Sequence, residues 1–377
     1  MAITASSSAS ETTVLVEPAA PILDVIWHRL VSRRTVLYWL AIWLSGMLTW
    51  DYYTHIEAPA IEKRISMHHD IVIGNAPYQY RYRVLVPYTA EAVARLMQKV
   101  PPLRLRPIVK PLSYSKRAFA LSYGLLNMTA LSVLLGSLGE LLWELFSYDL
   151  ALFGISLSAF LINFTFRDHY FHPWSLWEGA FFAFGLLLIY RQQYWLFTGV
   201  NILGLMNRET SLFLLLAFLL YVLPLEKSKE ALVKALRNRN VRFAVGNLII
   251  WGIGFLVLHR TVGYQPSTFF VQAALRGNHG HLGYALLLNL LLFGFVSPLI
   301  LKGVLVSPSL VRRSSMMLPA YFGLLLVIGY WWEIRYWITV IPIVVPALIA
   351  AIAGGSLRKS HDLAEFPASP ERMKSAA

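Results

Sequence analysis

Acidic, basic and histidine side chains border the apolar runs of this 377-residue sequence at several separate points. Asp51 ends the first long run, where the adjoining helix would hold its backbone rigid while the carboxylate acts as a catalytic acid or base. Asp168 is the second candidate catalytic carboxylate. Candidate substrate-binding residues border other runs: His172, Arg208, Glu209, Glu333 and Arg335. Ionisable groups beside apolar segments usually face a cavity or one another, so we predict one shared site.

Residues 78–83 alternate tyrosine with polar or basic side chains, in the order Tyr-Gln-Tyr-Arg-Tyr-Arg. In a soluble protein this pattern could indicate single-stranded nucleic acid, whose bases stack on aromatic rings. Beside a membrane it better fits a sugar stacked on Tyr80 and a phosphate held by Arg81 and Arg83, because guanidinium groups form paired hydrogen bonds with phosphate. We therefore predict no nucleic-acid partner. A belt of tyrosine and arginine at lipid headgroups explains the pattern equally well.

Two histidines raise the question of a metal. His169 and His172 are three residues apart, a spacing that could place two ligands on one metal, although the sequence assigns no third ligand. The chain has no cysteine, which excludes disulfides, thiolate metal sites and cysteine nucleophiles. A divalent metal is the one cofactor left open.

The composition indicates where these residues must be positioned. The chain is 57% hydrophobic and 14% charged, whereas soluble domains are about 25% charged. A bilayer span needs roughly 20 apolar residues, or fewer with interfacial aromatics. We predict an all-α, polytopic transmembrane bundle of about ten spans. The candidate spans are 35–53, 118–135, 150–166, 174–190, 192–206, 211–225, 243–258, 282–304, 316–332 and 336–354.

The distribution of lysine and arginine predicts the orientation, since cytoplasmic loops carry an excess of both. Arg33 and Arg34 precede the first span, six basic residues lie in 226–242, and Arg358 and Lys359 follow the last span. Ten spans with both termini inside satisfy this pattern. The predicted organisation is a cytoplasmic tail at 1–34, a transmembrane domain at 35–356 and a second tail at 357–377.

One outer segment carries more positive charge than orientation requires. Residues 51–117 contain eleven basic and five acidic residues, a net charge of +6. The segment could lie on the anionic headgroups of the lipid bilayer, or it could attract a phosphate-bearing substrate. Within it, Val86–Met97 has helical spacing, and Glu91 can pair with Arg95 at i,i+4. We predict an interfacial helix there.

Two short motifs accompany this layout. Gly74-Asn75-Ala76-Pro77-Tyr78-Gln79-Tyr80-Arg81 is followed by Val84-Leu85-Val86-Pro87, and Asn207-Arg208-Glu209-Thr210 lies between two apolar runs. Together with an inside N-terminus, a first span that ends in an acidic residue and a long first outer segment, they resemble the GT-C superfamily of membrane glycosyltransferases.

The resemblance implies a function and roles for particular residues. Enzymes of this superfamily take a sugar from a polyprenyl-phosphate carrier on the non-cytoplasmic face, here of a bacterial inner membrane, and pass it to a glycan, lipid or protein acceptor. It implies that Asp51 is the catalytic base and that Arg208 and Arg335 bind the carrier phosphate. The better-known metal-dependent members have an Asp-x-Asp motif in the second outer loop. This sequence departs from them, because it has no such motif there and Asp168 is followed by His169.

Two other functions fit the same composition. A transporter or flippase would show internal repeats and polar or broken helices near the bilayer midplane. No convincing repeat occurs, and the ionisable residues gather at one predicted face. A membrane acyltransferase could use an outer histidine such as His172, and no motif separates it from a glycosyltransferase.

Overall fold

The computed structural model describes residues 32–76, 78–99, 114–166, 172–224, 229–262, 276, 278–329 and 333–354. Every regular element in this part of the chain is helical and none is a strand, as predicted. Contacts group the described residues from Leu37 onward as one compact unit. Of the predicted tails, 1–31 and all of 357–377 lie outside the described residues.

The first helical segment extends well past the predicted first span. Ser32 caps α1 (Arg33–Tyr52), because its Oγ accepts a hydrogen bond from the backbone N–H of Thr35 at 3.3 Å. A π-helical turn (Tyr53–Glu57) connects α1 directly to α2 (Ala58–Val72). Much of the outer segment predicted at 51–117 is therefore regular helix. Gly74, with a φ of +78°, supplies the left-handed conformation that ends α2.

The predicted helix in this segment is present. After the single turn of α3 (Tyr78–Arg81), α4 covers Leu85–Lys99. Its buried face includes Val86, Ala90 and Ala94, which pack with residues of the next long helix. Glu91 and Arg95 form the expected ion pair at 2.7 Å.

The middle of the chain folds into five apolar helices. They are α5 (Tyr114–Leu145), α6 (Tyr148–Phe164), α7 (Trp174–Tyr190), α8 (Tyr194–Asn207) and α9 (Leu212–Val222), with a 3₁₀ turn at Glu209–Ser211 before the last. Nearly every residue of α7 is buried, because the helix packs against α5, α8 and the final helix of the chain. A helix that is apolar on all sides and buried on all sides forms the centre of the bundle.

The last third of the described chain contains shorter elements. These are α10 (Lys229–Arg237), α11 (Arg239–Val262), α12 (Leu282–Asn289), α13 (Ser297–Val306), α14 (Ser309–Ser314), α15 (Leu318–Ile328) and α16 (Trp337–Ala353). The predicted span 282–304 is interrupted by a π-helical turn at Leu290–Gly294 and a further turn before Ser297. Gly303 of α13 lies directly against the backbone of Ala347, so these two helices cross closely.

Four described helical stretches are long and apolar enough to cross a membrane: Lys116–Leu145, Arg239–Val262, Ser309–Val327 and Ile334–Ala353. Four shorter apolar helices accompany them: Tyr148–Phe164, Trp174–Tyr190, Glu209–Val222 and Ser297–Val306. The chain thus has the apolar helices of a membrane protein. Broken and shortened helices replace several of the uniform spans that hydropathy alone predicted.

Side-chain contacts gather the ends of three central helices. The amide of Asn207, at the end of α8, donates a hydrogen bond to the carbonyl of Trp174, at the start of α7, at 3.0 Å. Arg335, just before α16, donates to the hydroxyl of Ser175 at 3.2 Å. At the other end of α7, Arg191 pairs with two glutamates near the end of α5. The candidate site lies at the end marked by Trp174, which we call the site end.

Candidate functional site

Arg208 forms a buried ion pair at the site end. The chain leaves the helical conformation at this residue, with φ −168° and ψ 143°, which turns the side chain inward from the end of α8. Its Nη1 donates a hydrogen bond to Oε2 of Glu178 at 2.6 Å, and both side chains are buried. The hydroxyl of Thr210 also donates to Glu178. Glu178 therefore compensates the charge of Arg208.

Arg335 is buried nearby and forms a second ion pair. Its Nη2 donates to Oε2 of Glu333 at 2.5 Å, and its guanidinium lies over the ring of Tyr336 at 4.6 Å. The guanidinium of Arg208 contacts the same ring at 5.3 Å. One tyrosine ring is thus in cation–π contact with both arginines.

Arg83 comes from the outer segment and has no carboxylate within ion-pair distance among the described residues. Only 8% of its surface is exposed, and its guanidinium stacks on Trp174 at 4.6 Å and lies 5.5 Å from the Tyr80 ring. Its Nε and Nη1 are buried without a hydrogen-bond partner in the described part of the chain. Burial, together with the positive charges of Arg208 and Arg335, lowers the pKa of Arg83 to about 10.

We call Arg83, Arg208 and Arg335 the arginine cluster, since the charges of the latter two act on the first. Aromatic rings border it: Tyr80 lies 5.5 Å from Trp174 and 5.6 Å from His172. The Nε2 atom of His172 lies 3.8 Å from Glu333. Four segments distant in sequence therefore supply one buried, cationic and aromatic site.

The loop that carries Arg83 is also attached on its other side. Tyr82, the preceding residue, stacks on His259 of α11 with ring centroids 3.9 Å apart and an angle of 15°. Phe255 of the same helix packs against His259, with ring centroids 3.9 Å apart and an angle of 37° between the rings. Trp251, one turn further, donates a hydrogen bond to Ser211 at 2.9 Å. The residues beside Arg83 and Arg208 are thus held by α11.

Other predicted residues lie outside these contacts. Asp51 pairs with His55 at 2.9 Å, both side chains are substantially exposed, and no described contact joins Asp51 to the arginine cluster. Arg81 donates from Nε to the carbonyl of Ala76 at 2.7 Å, so it stabilises the local turn. Glu209 makes no ion pair with Arg208, although its charge acts on Arg83. Asp168 and His169 lie outside the described residues.

The predicted catalytic and substrate-binding residues did not include three residues of the site: Trp174, Glu178 and Tyr336. Glu178 carried a usable signal, because an acidic residue within an otherwise apolar run must find a partner. Trp174 and Tyr336 carried none, since their sequence positions suit an interfacial aromatic belt as well as a stacking contact.

A second cluster of buried polar side chains connects α2 with α5. Arg64 lies 3.8 Å from Glu57 and donates to the hydroxyl of Tyr52 at 2.7 Å. The guanidinium also covers the ring of Tyr123, whose hydroxyl lies 3.0 Å from Nδ1 of His68. We interpret this group as the support of the outer segment, because its charges are compensated within it.

The metal left open by the sequence has no ligand set in the part of the chain that the structure describes. No group of three histidine, aspartate or glutamate side chains there is arranged to hold an ion. Comparisons with protein-family models, with curated proteins and with solved structures give no match to this chain.

Proposed function

We propose that this protein is a membrane glycosyltransferase that moves a sugar from a polyprenyl-phosphate carrier to a glycan, lipid or protein acceptor. One observation carries the proposal: Arg83, Arg208 and Arg335 come from three distant segments and meet in a buried site. Burying three cations together is unfavourable unless anions compensate them. Only two of them have a carboxylate within ion-pair distance among the described residues, so a bound anion fits the third.

The chemistry of sugar transfer suits such a site. An acceptor hydroxyl attacks the anomeric carbon, the bond from that carbon to the phosphate oxygen breaks, and its electron pair stays on the phosphate. The leaving group is an anion that needs positive charge more than it needs a proton, and arginine keeps its charge throughout. The acceptor proton passes to a general base, which must lie within hydrogen-bond reach of the acceptor. Asp51 stays our prediction for that base.

The proposal includes the placement in the membrane. We propose about ten spans, both termini inside, and a site facing the non-cytoplasmic side of a bacterial inner membrane. The apolar helices support this, because a polyprenyl chain needs a hydrocarbon environment beside the site that binds its phosphate. The residues of the site lie at helix ends, where a water-soluble acceptor can meet a lipid-linked donor.

The test is sugar transfer by the full-length protein in liposomes, with a panel of radiolabelled polyprenyl-phosphate sugars and extracted membrane as acceptor. Arg335→Gln should lower transfer at least tenfold, because it removes one cation from the leaving phosphate. Arg335→Lys keeps the positive charge but loses the planar guanidinium that forms paired hydrogen bonds with phosphate, so its rate of sugar transfer should be intermediate. Lys99→Gln removes an exposed cation at the end of α4 and should leave transfer unchanged.

Thermal unfolding in detergent separates a folding defect from a binding defect, since a correctly folded Arg335→Gln variant keeps a cooperative transition. Transfer by Arg335→Gln at the rate of Lys99→Gln would contradict the proposed role of the cluster. A wild-type protein that transfers no sugar from any donor of the panel would contradict the proposed activity.

A further inference from the structure

The charges of the site can be counted from its ion pairs. Glu178 compensates Arg208 at 2.6 Å, and Glu333 compensates Arg335 at 2.5 Å. Each pair is neutral as a unit; the Arg208 pair is buried at both ends, and the Arg335 pair is buried at the arginine and partly exposed at Glu333. The cation–π contact of Arg83 with Trp174 offsets part of the burial cost but adds no negative charge.

Within the described ranges, Glu209 is the one further acidic residue whose charge acts on Arg83. Its charge acts on Arg83, but the two side chains form no ion pair within 4 Å, and Glu209 is only half-buried. Water screens a half-exposed carboxylate, so it compensates a buried guanidinium incompletely. Among the residues that the structure describes, the site therefore lacks close to one negative charge, located at Arg83.

The number of missing charges distinguishes between classes of phosphate. A phosphodiester carries one negative charge at neutral pH, whereas a phosphomonoester carries about 1.5 to 2. A diphosphate carries more. Each charge above one would be buried near the carboxylates of Glu178 and Glu333, and no further arginine or lysine among the described contacts of the site would pair with it.

We propose that Arg83 is the counter-ion of a single phosphodiester and that the site selects this class over a diphosphate of the same lipid. The polyprenyl identity of the lipid rests on the proposed function; the charge class does not. Bilayer phospholipids such as phosphatidylglycerol are also phosphodiesters, and they are the second source of the same chemistry.

Equilibrium binding to the full-length protein in detergent tests the inference. The probes are polyprenyl-phosphate glucose, polyprenyl diphosphate of equal chain length, and phosphatidylglycerol. Polyprenyl-phosphate glucose should bind at least tenfold more tightly than the diphosphate. Arg83→Gln should weaken phosphodiester binding at least tenfold, while Lys99→Gln should not change it. Equal or tighter binding of the diphosphate, or unchanged binding by Arg83→Gln, would overturn the inference.

A second variant tests the inference by changing the number of negative charges near Arg83. Glu209→Gln removes the acidic residue that partly offsets Arg83, so the site then lacks more negative charge. The preference for phosphodiester over diphosphate should shrink several-fold in this variant, and an unchanged or larger preference would overturn the inference. This result does not depend on whether Arg83→Gln folds.

The two phosphodiester probes separate this inference from the proposed function. If phosphatidylglycerol binds as tightly as polyprenyl-phosphate glucose and both exceed the diphosphate, the charge class stands and the carrier-dependent activity fails. If only the polyprenyl probe binds tightly, both stand.

Discussion

Glu178→Gln removes the charge that compensates Arg208 and changes the shape of the side chain very little. The pair is buried at both ends, and the oxygen-to-nitrogen distance is 2.6 Å. Removing one partner of a buried pair leaves an uncompensated charge and costs about 3–5 kcal/mol. With an unfolding entropy of about 2.1 cal/mol/K per residue, a protein of 377 residues should lose about 4–6 °C in Tm.

The assay is thermal unfolding of purified full-length variants in one detergent at fixed concentration. The matched control is Glu62→Gln, which breaks an exposed pair with Lys116 at 2.7 Å. Exposed pairs contribute at most about 1 kcal/mol, so this control should shift Tm by about 1 °C or less. The double variant Glu178→Gln/Arg208→Gln leaves no unpaired charge and should recover most of the loss. A Glu178→Gln Tm equal to that of the control would refute the reasoning.

Three further predictions concern packing, pH and catalysis. Gly303→Ala should lower Tm by several degrees because its Cβ would meet the backbone oxygen of Ala347 at 1.8 Å, whereas Gly323→Ala, with open space around it, should not. Burial lowers the pKa of His68, so the folded state binds fewer protons than the unfolded state. The free energy of unfolding should therefore fall as the pH drops below about 6.5, and it should fall less in the His68→Gln variant. Unfolding measured across this pH range checks both expectations. Asp51→Asn should abolish sugar transfer without weakening lipid-phosphate binding, and full activity would remove it as the base.

The sequence predicted the members of the site better than it predicted their partners. Arg208 and Arg335 were recognisable because each borders an apolar run, where an unpaired cation is costly, and Arg83 because residues 78–83 alternate tyrosine with polar or basic side chains. The acid that pairs with Arg208 was not recognisable. Glu209 follows Arg208 directly, yet the pair forms with Glu178, because the extended backbone at Arg208 turns its side chain toward α7.

The outer segment shows a different limit. The spacing of apolar residues predicted α4 within two residues at each end, because a one-sided helix repeats its pattern along the chain. The continuation of α1 through a π turn into α2 was not predicted, since charged residues after Asp51 suggested a loop. That continuous helix places Asp51 on an exposed surface beside His55, away from the contacts of the arginine cluster.

The ring stack between Tyr82 and His259 has a mechanical consequence. Successive residues of one short loop are held on opposite sides, Tyr82 by α11 and Arg83 by the indole of Trp174. An anion that draws the guanidinium off the indole must also slide the tyrosine ring across the imidazole. Binding of the anion would then change the contact between Tyr82 and α11, a helix most of whose surface is not covered by other helices. A fluorescent label on the uncovered side of that helix would report a ligand that it never touches.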